Sequence, residues 1–220
     1  MVPTVVVPVM TLGNCVFLPQ QLLPLRIFEP RYRRMLKETL AGNRMFAVSQ
    51  LDEDGLAPGN DEPPCPFTCV GRIVGHVELE DGTSHIVLEG LRRARVIKVK
   101  RKTPYPQLEI APVADEPSAD PFGSTRDIAR VLAFAEKIVG GLGEEAEPLM
   151  QRLRGLANQP GALADAAAGH LIPDASTRRP LLECLSQDRR LRTVADELAR
   201  LDAQRALDEK GGDQDARGLN

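Results

Sequence analysis

Residues 69–89 read CVGRIVGHVELEDGTSHIVLE. The first part places apolar residues at Val70, Ile73, Val74, Val77 and Leu79, in a run rich in β-branched side chains. Glu80-Asp81-Gly82-Thr83 follows, and Asp-Gly between two such runs is a strong hairpin signal. His85–Glu89 is then the returning strand. Working outward, similar short runs occur at Val5–Val9, Met45–Leu51, Arg92–Lys102 and Gln107–Pro112, separated by Pro and Gly. Short strands at this spacing predict a closed or nearly closed antiparallel sheet.

One helix interrupts the strands. Glu29-Pro30 opens it, with proline at the first helical position. Tyr32, Met35, Leu36 and Leu40 form its apolar stripe, and Gly42-Asn43 closes it. Residues 52–66 (DEDGLAPGNDEPPCP) are acidic and rich in Pro and Gly, and read as a long exposed loop, either functional or a tolerated insertion. After Pro112 the period changes. Residues 114–121 read as a linker. Ile128, Val131, Leu132, Ala135, Ile138 and Val139 then form a helical stripe. Further helical segments contain Leu149–Leu156, the run from Pro160 and the run Thr177–Leu185. The last helix, from Asp188, aligns Leu191, Val194, Ala195, Leu198 and Leu201 on one face, for packing within the chain or for a short coiled coil. The expected division is residues 1–113 for the strands, 121–209 for a helical bundle and 210–220 for a disordered tail. Strands followed by helices make the fold class α+β.

Composition narrows the function. The 220 residues are 42% apolar and 27% charged, with 4% aromatics and no Trp. That is an ordinary globular composition with an aliphatic core. The formal net charge of −3 argues against a nucleic-acid binder. No run of 18 apolar residues suggests a membrane span, and the start, MVPTVVVPVMTL, lacks the basic n-region of a secretory signal. Four scattered cysteines fit a reducing cytoplasm.

A set of spaced motifs then resembles one family. Val7-Pro8-Val9-Met10-Thr11-Leu12, Val16-Phe17-Leu18-Pro19 and Leu23-Pro24-Leu25-Arg26-Ile27-Phe28-Glu29-Pro30-Arg31-Tyr32 are similar to the opening of Lon protease N-terminal domains. Val70-Gly71-Arg72-Ile73-Val74, then Asp81-Gly82 with Ile86-Val87-Leu88-Glu89-Gly90-Leu91-Arg92-Arg93, match that family's next strands, with Val74 and His76 as departures. Pro104-Tyr105 also fits. Leu163-Ala164-Asp165 and Leu181-Leu182-Glu183 resemble the bundle that follows. The resemblance spans roughly residues 5–205. It implies an N-terminal PUA-like antiparallel β-barrel followed by a C-terminal α-helical bundle. It implies a substrate-recognition module of the peptidase S16 family that binds unfolded or extended protein segments at a barrel edge or an inter-domain groove, as a stand-alone member. A protease or a chaperone is the associated partner expected for such a module; membrane and nucleic acid are not.

Catalysis is not expected. The stretch G-x-x-x-x-G-K-[ST], whose backbone amides and lysine cradle phosphates, is missing, and the chain has no room after its helices for the ATPase and Ser–Lys peptidase modules of full Lon proteases. There is no G-x-S-x-G elbow, and His76, His85 and His170 are scattered. No cofactor or metal is implied. Cys65 and Cys69 form the one close cysteine pair, with His76 or His85 along the hairpin, but structural zinc takes four ligands. Arg92–Lys102 (RRARVIKVKRK) supports a rival reading as an RNA-binding PUA-like protein. The alternative is a strand whose basic face meets Glu78, Glu80, Asp81 and Glu89, and the run lacks the aromatics that stack bases. The residues expected to touch a bound peptide are Glu29 and Arg31, at the start of the first helix.

Overall fold

The computed structural model describes residues 3–60, 62–140 and 146–217. In chain order the elements are β1 (Val5–Leu12), β2 (Leu22–Ile27), α1 (Pro30–Ala41), β3 (Met45–Leu51), β4 (Pro64–Glu78), β5 (Ser84–Arg101), β6 (Gln107–Pro112), α2 (Pro121–Val139), α3 (Glu147–Gly155), α4 (Pro160–Leu171), α5 (Ala175–Glu183) and α6 (Gln187–Arg217). They form two compact units, Met1–Asp115 with Pro173–Leu185, and Glu116–Ile172 with Ser186–Asn220.

The strand unit is a six-stranded sheet in the order β2-β5-β4-β3-β1-β6, and β6 pairs back onto β5. The extra pairing closes a ring of strands and leaves β2 attached outside it, on β5. Closure removes the unpaired edges that open sheets present. One pairing departs from the antiparallel expectation: β1 runs parallel to β3, with Val9 opposite Ala47. A hairpin cannot join parallel strands. The β2–α1 segment between β1 and β3 supplies the longer connection. Strand alternation turns Val9, Ala47, Val70, Ala94, Leu108 and Ile110 into one buried cluster.

Strand β5 is a single 18-residue strand, where the sequence pattern suggested two runs broken at Gly90. The glycine is needed for a close approach rather than a break. A Cβ at Gly90 would lie 2.1 Å from the Leu18 carbonyl oxygen. In that contact Gln20 N–H donates to the Gly90 carbonyl (2.8 Å) and Gly90 N–H donates to the Gln21 carbonyl (2.9 Å). The strand pattern also missed β2, because Leu22-Leu23-Pro24-Leu25 shows no alternation. Pro24 has no amide hydrogen to give a ladder and is tolerated because β2 ends the sheet. The 52–66 loop is shorter than expected, since Pro64 already pairs with Leu51.

Helix α5, grouped with the helical bundle in the sequence reading, clusters with the strands. Leu181 and Leu182 are buried, and the Leu182 carbonyl accepts a hydrogen bond from Arg93 Nε (3.2 Å). Arg93 is itself buried and paired with Asp115.

In the helical unit α6 packs against α2 and α4. Val131, Ala135, Leu153, Leu163, Leu191, Val194 and Leu198 form its interior. Asp120 caps α2 by accepting the Gly123 amide (2.9 Å), which satisfies one of the orphan donors of the first turn. Inside this unit Arg190 Nε lies 2.9 Å from Asp165 Oδ1, with both side chains almost wholly buried. The backbone of α6 is helical through Arg217, past Gly211-Gly212, where the sequence reading expected disorder to have begun. The last part of that expectation, 218–220, lies outside the described residues.

Candidate protein-binding surface

The β4–β5 hairpin projects beyond the ring, with β2 along its side. Register fixes what this three-stranded piece shows. Val87 stands opposite Pro24 on one side and Gly75 on the other, and His85 opposite Arg26 and Val77. Successive side chains alternate between faces. Ser84, Ile86 and Leu88 are therefore buried on the inner face, and Val87, Pro24 and Val77 lie on the outer one. Val77 is 61% exposed and Val74, in the bulge of β4, 49%. Gly75 carries no side chain over Val87. Together Pro24, Arg26, Gly75, Val77, His85 and Val87 line a shallow hollow of about 360 Å³. Its charged border is the exposed pair Arg26–Asp81 (3.4 Å). The Thr83 hydroxyl and amide hold the Asp81 carboxyl below its ordinary range, with Arg26 and Arg33 adding to the effect. The hollow is thus apolar at its centre and polar at its border.

Glu29 and Arg31 sit where expected, at the start of α1, and are paired to one another: Arg31 Nε donates to Glu29 Oε2 at 2.9 Å. The other half of the guanidinium fork goes to Glu62, with Nη2–Oε1 at 2.6 Å and Nη1–Oε2 at 2.8 Å. The guanidinium carbon lies 4.5 Å from the centroid of the Tyr32 ring. The hydrogen bonds that Arg31 donates to Glu62 raise the Arg31 pKa despite the opposing effect of burial. Arg31 and Glu62 line a cavity of about 210 Å³ with Val9, Val99, Lys102 and Leu108. Sequence reasoning missed Glu62. It lies in the acidic loop, 31 residues from Arg31, and no local spacing connects them.

The remaining candidates are spread out. The basic run divides between environments. Arg93 is buried, Arg95 stacks 5.0 Å from the centre of the Phe67 ring, and Lys98 and Lys100 share Glu109 at 3.5 and 3.4 Å. Cys65 and Cys69 are buried, and their thiols reach the Leu51 and Val70 carbonyls (3.6 Å each). Among the described residues no three His, Cys, Asp or Glu side chains gather as a metal-holding group. The fold brings His76 Nε2 to 3.3 Å from Ser84 Oγ, a contact no sequence spacing foretold. The apolar stripe of α6 is buried within the chain at Leu191, Val194 and Leu198, so the stripe is spent on intrachain packing. No described helix is long and apolar enough to cross a membrane.

Comparison with known proteins gives a consistent picture. The family model described as the ATP-dependent protease La (LON) substrate-binding domain matches residues 6–200. Lon protease of Trichlorobacter lovleyi is 26% identical over 198 residues, covering 88% of this chain and 24% of that protein. Lon protease of Chloroflexus aggregans is 25% identical over 196 residues, again 88% of this chain and 24% of the relative. The chain thus spans about a quarter of the length of these relatives. Among solved structures, the N-terminal domain of the Mycobacterium avium complex Lon protease superposes with a TM-score of 0.65 at 20% identity, over 88% of this chain and 98% of that one. A Lon N-terminal domain protein from Xanthomonas campestris gives 0.59 at 21% identity, over 85% and 95%.

Proposed function

Because this chain belongs to the family of Lon substrate-binding domains, we propose that it is a recognition module that holds apolar, extended stretches of other polypeptides and catalyses no reaction itself. The observation that carries this reading is the outer face of β2, β5 and β4. It is an exposed apolar strip over Gly75 and Val87, bordered by Arg26 and Asp81. Of the modes by which peptides are bound, this surface suits a segment laid across the face more than one added as a further strand. Pro24 removes an amide donor from β2, and prolines blunt sheet edges. The basic run offers less to RNA, since its cations are divided among burial, ring stacking and pairing with Glu109. The bound polypeptide would be handed to, or shared with, a protease or a chaperone. The setting is a reducing cytoplasm, which suits the buried thiols of Cys65 and Cys69.

Fluorescence anisotropy with a reduced, carboxymethylated unfolded protein tests the reading. Val77→Asp with Val87→Asp replaces the centre of the apolar strip by charge at positions that are exposed or half-buried. The double variant is expected to bind about tenfold more weakly or worse, with an unchanged circular dichroism spectrum. Unchanged affinity would remove this face from the function.

A further inference from the structure

We propose that the cavity beside Arg31 is a binding site for an aliphatic carboxylate, and that the Glu62 side chain occupies the carboxylate position as a built-in stand-in. The site is separate from the apolar strip on β2, β5 and β4, and shares no residue with it.

The cavity is lined by two kinds of residue. Val9 and Leu108 belong to the buried core cluster of the ring, and with Pro106 and Val99 they give the lining its apolar part. Its polar part is Thr11, Gly59, Arg31, Glu62 and Lys102, and the Lys102 ammonium donates to the Gly59 carbonyl. The volume of about 210 Å³ exceeds the roughly 150 Å³ that accepts a benzene-sized guest in an engineered apolar cavity. One branched aliphatic chain fits such a space, with its polar end against Arg31.

Arg31 is placed to take that polar end. Its Nε bond to Glu29 and its stacking over Tyr32 hold the guanidinium plane independently of Glu62. The two terminal nitrogens, Nη1 and Nη2, form the bidentate fork that matches a carboxylate, and Glu62 already satisfies it with both oxygens. The Glu62 side chain is 32% and that of Arg31 36% exposed, so water reaches both partners and either can exchange. A ligand carboxylate that displaces it makes the same two hydrogen bonds while Glu62 turns to water. The exchange conserves the ion pair and adds burial of the aliphatic chain. Two sources present this chemistry: the C-terminal residue of a polypeptide ending in leucine, and a free acid such as 4-methylpentanoate.

The test uses the full chain and a fluorescein-labelled hexapeptide ending in leucine, prepared as free acid and as C-terminal amide. The acid is expected to bind saturably, and the amide about tenfold more weakly or worse because it cannot accept the fork. Glu62→Gln removes the charged competitor and is expected to tighten the acid by about fivefold. Arg31→Gln abolishes binding, and Arg31→Lys, which keeps charge without the fork, falls between. Displacement of the peptide by 4-methylpentanoate assigns the site to any aliphatic acid. Displacement only by peptide acids assigns it to polypeptide C-termini, and binding of 4-methylpentanoate without the peptide assigns it to free acids. Equal binding of acid and amide overturns the proposal. So does an unchanged or weaker affinity in Glu62→Gln, since a folding defect cannot mimic the tightening expected there, and so does no binding of either probe to the wild type and Glu62→Gln.

Discussion

Arg31, at the rim of the strand unit, gives its fork to Glu62 with each side chain about a third exposed. Arg190, inside the helical unit, lies 2.9 Å from Asp165 with exposures of 0% and 3%. The chemistry is the same and the consequences are opposite. At the rim, water competes for both ions, so the pair contributes little to stability and can exchange partners. In the interior neither ion has an alternative partner in water. Breaking that pair strands a charge, whereas replacing both partners by apolar groups is often harmless. The strand unit therefore keeps its adjustable charges in the lining of a cavity, and the helical unit spends its buried pair on joining α4 to α6.

The largest expected effect breaks the buried side of this comparison. Asp165→Ala takes its carboxylate away from the buried Arg190 guanidinium, and should cost about 3–5 kcal/mol in urea unfolding. The double variant Asp165→Leu with Arg190→Met should recover most of that loss. No recovery would mean that the pair is not the cause.

A smaller effect comes from Asp188, also in the helical unit. The hydroxyls of Ser118 and Ser124 and the amides of Ala119 and Asp120 lower its carboxyl to about 2. A carboxyl depressed in the folded state adds stability above its unfolded value, near 3.8, and the gain is lost as pH falls toward 2. Asp188→Asn should remove on the order of 1–2 kcal/mol at pH 6 and flatten the fall in stability between pH 4 and pH 2. A variant with the same acid dependence as the wild type would contradict the assignment.

The smallest effect belongs to the rim. Glu62→Ala should change stability by no more than about 1 kcal/mol, and less in high salt. A loss as large as that of Asp165→Ala would erase the distinction between the two pairs.

How much of this was legible in the sequence differs from place to place. The Asp81-Gly82 turn, the α1 stripe at Tyr32, Met35, Leu36 and Leu40, and the helical period after Pro112 were all readable, because each is a local pattern. Glu29 and Arg31 were legible as neighbours on a helix start. Glu62 was not, because pairing across 31 residues leaves no periodic trace. Strand β2 escaped because an edge strand carrying Pro24 lacks the alternation by which strands are recognised. The continuity of β5 through Gly90 escaped because a glycine that breaks a strand and one that admits a neighbouring carbonyl look identical in one dimension. The hollow over Gly75 was hidden for the same reason. Gly75 is unremarkable until register sets it beside Val87.

The sequence alone determined the α+β class, the placing of the helical half after the strands and the family to which the chain belongs. These follow from periodicities of two and 3.6 residues, from turn chemistry and from spaced motifs, all of which act over a few residues. Tertiary structure decided the parallel β1–β3 pairing, the return of α5 to the strands, the apolar strip on the projecting hairpin and the partner of Arg31. Each of these depends on which distant segments meet. That is set by the summed burial and hydrogen bonding of the folded chain, to which no single stretch holds the key.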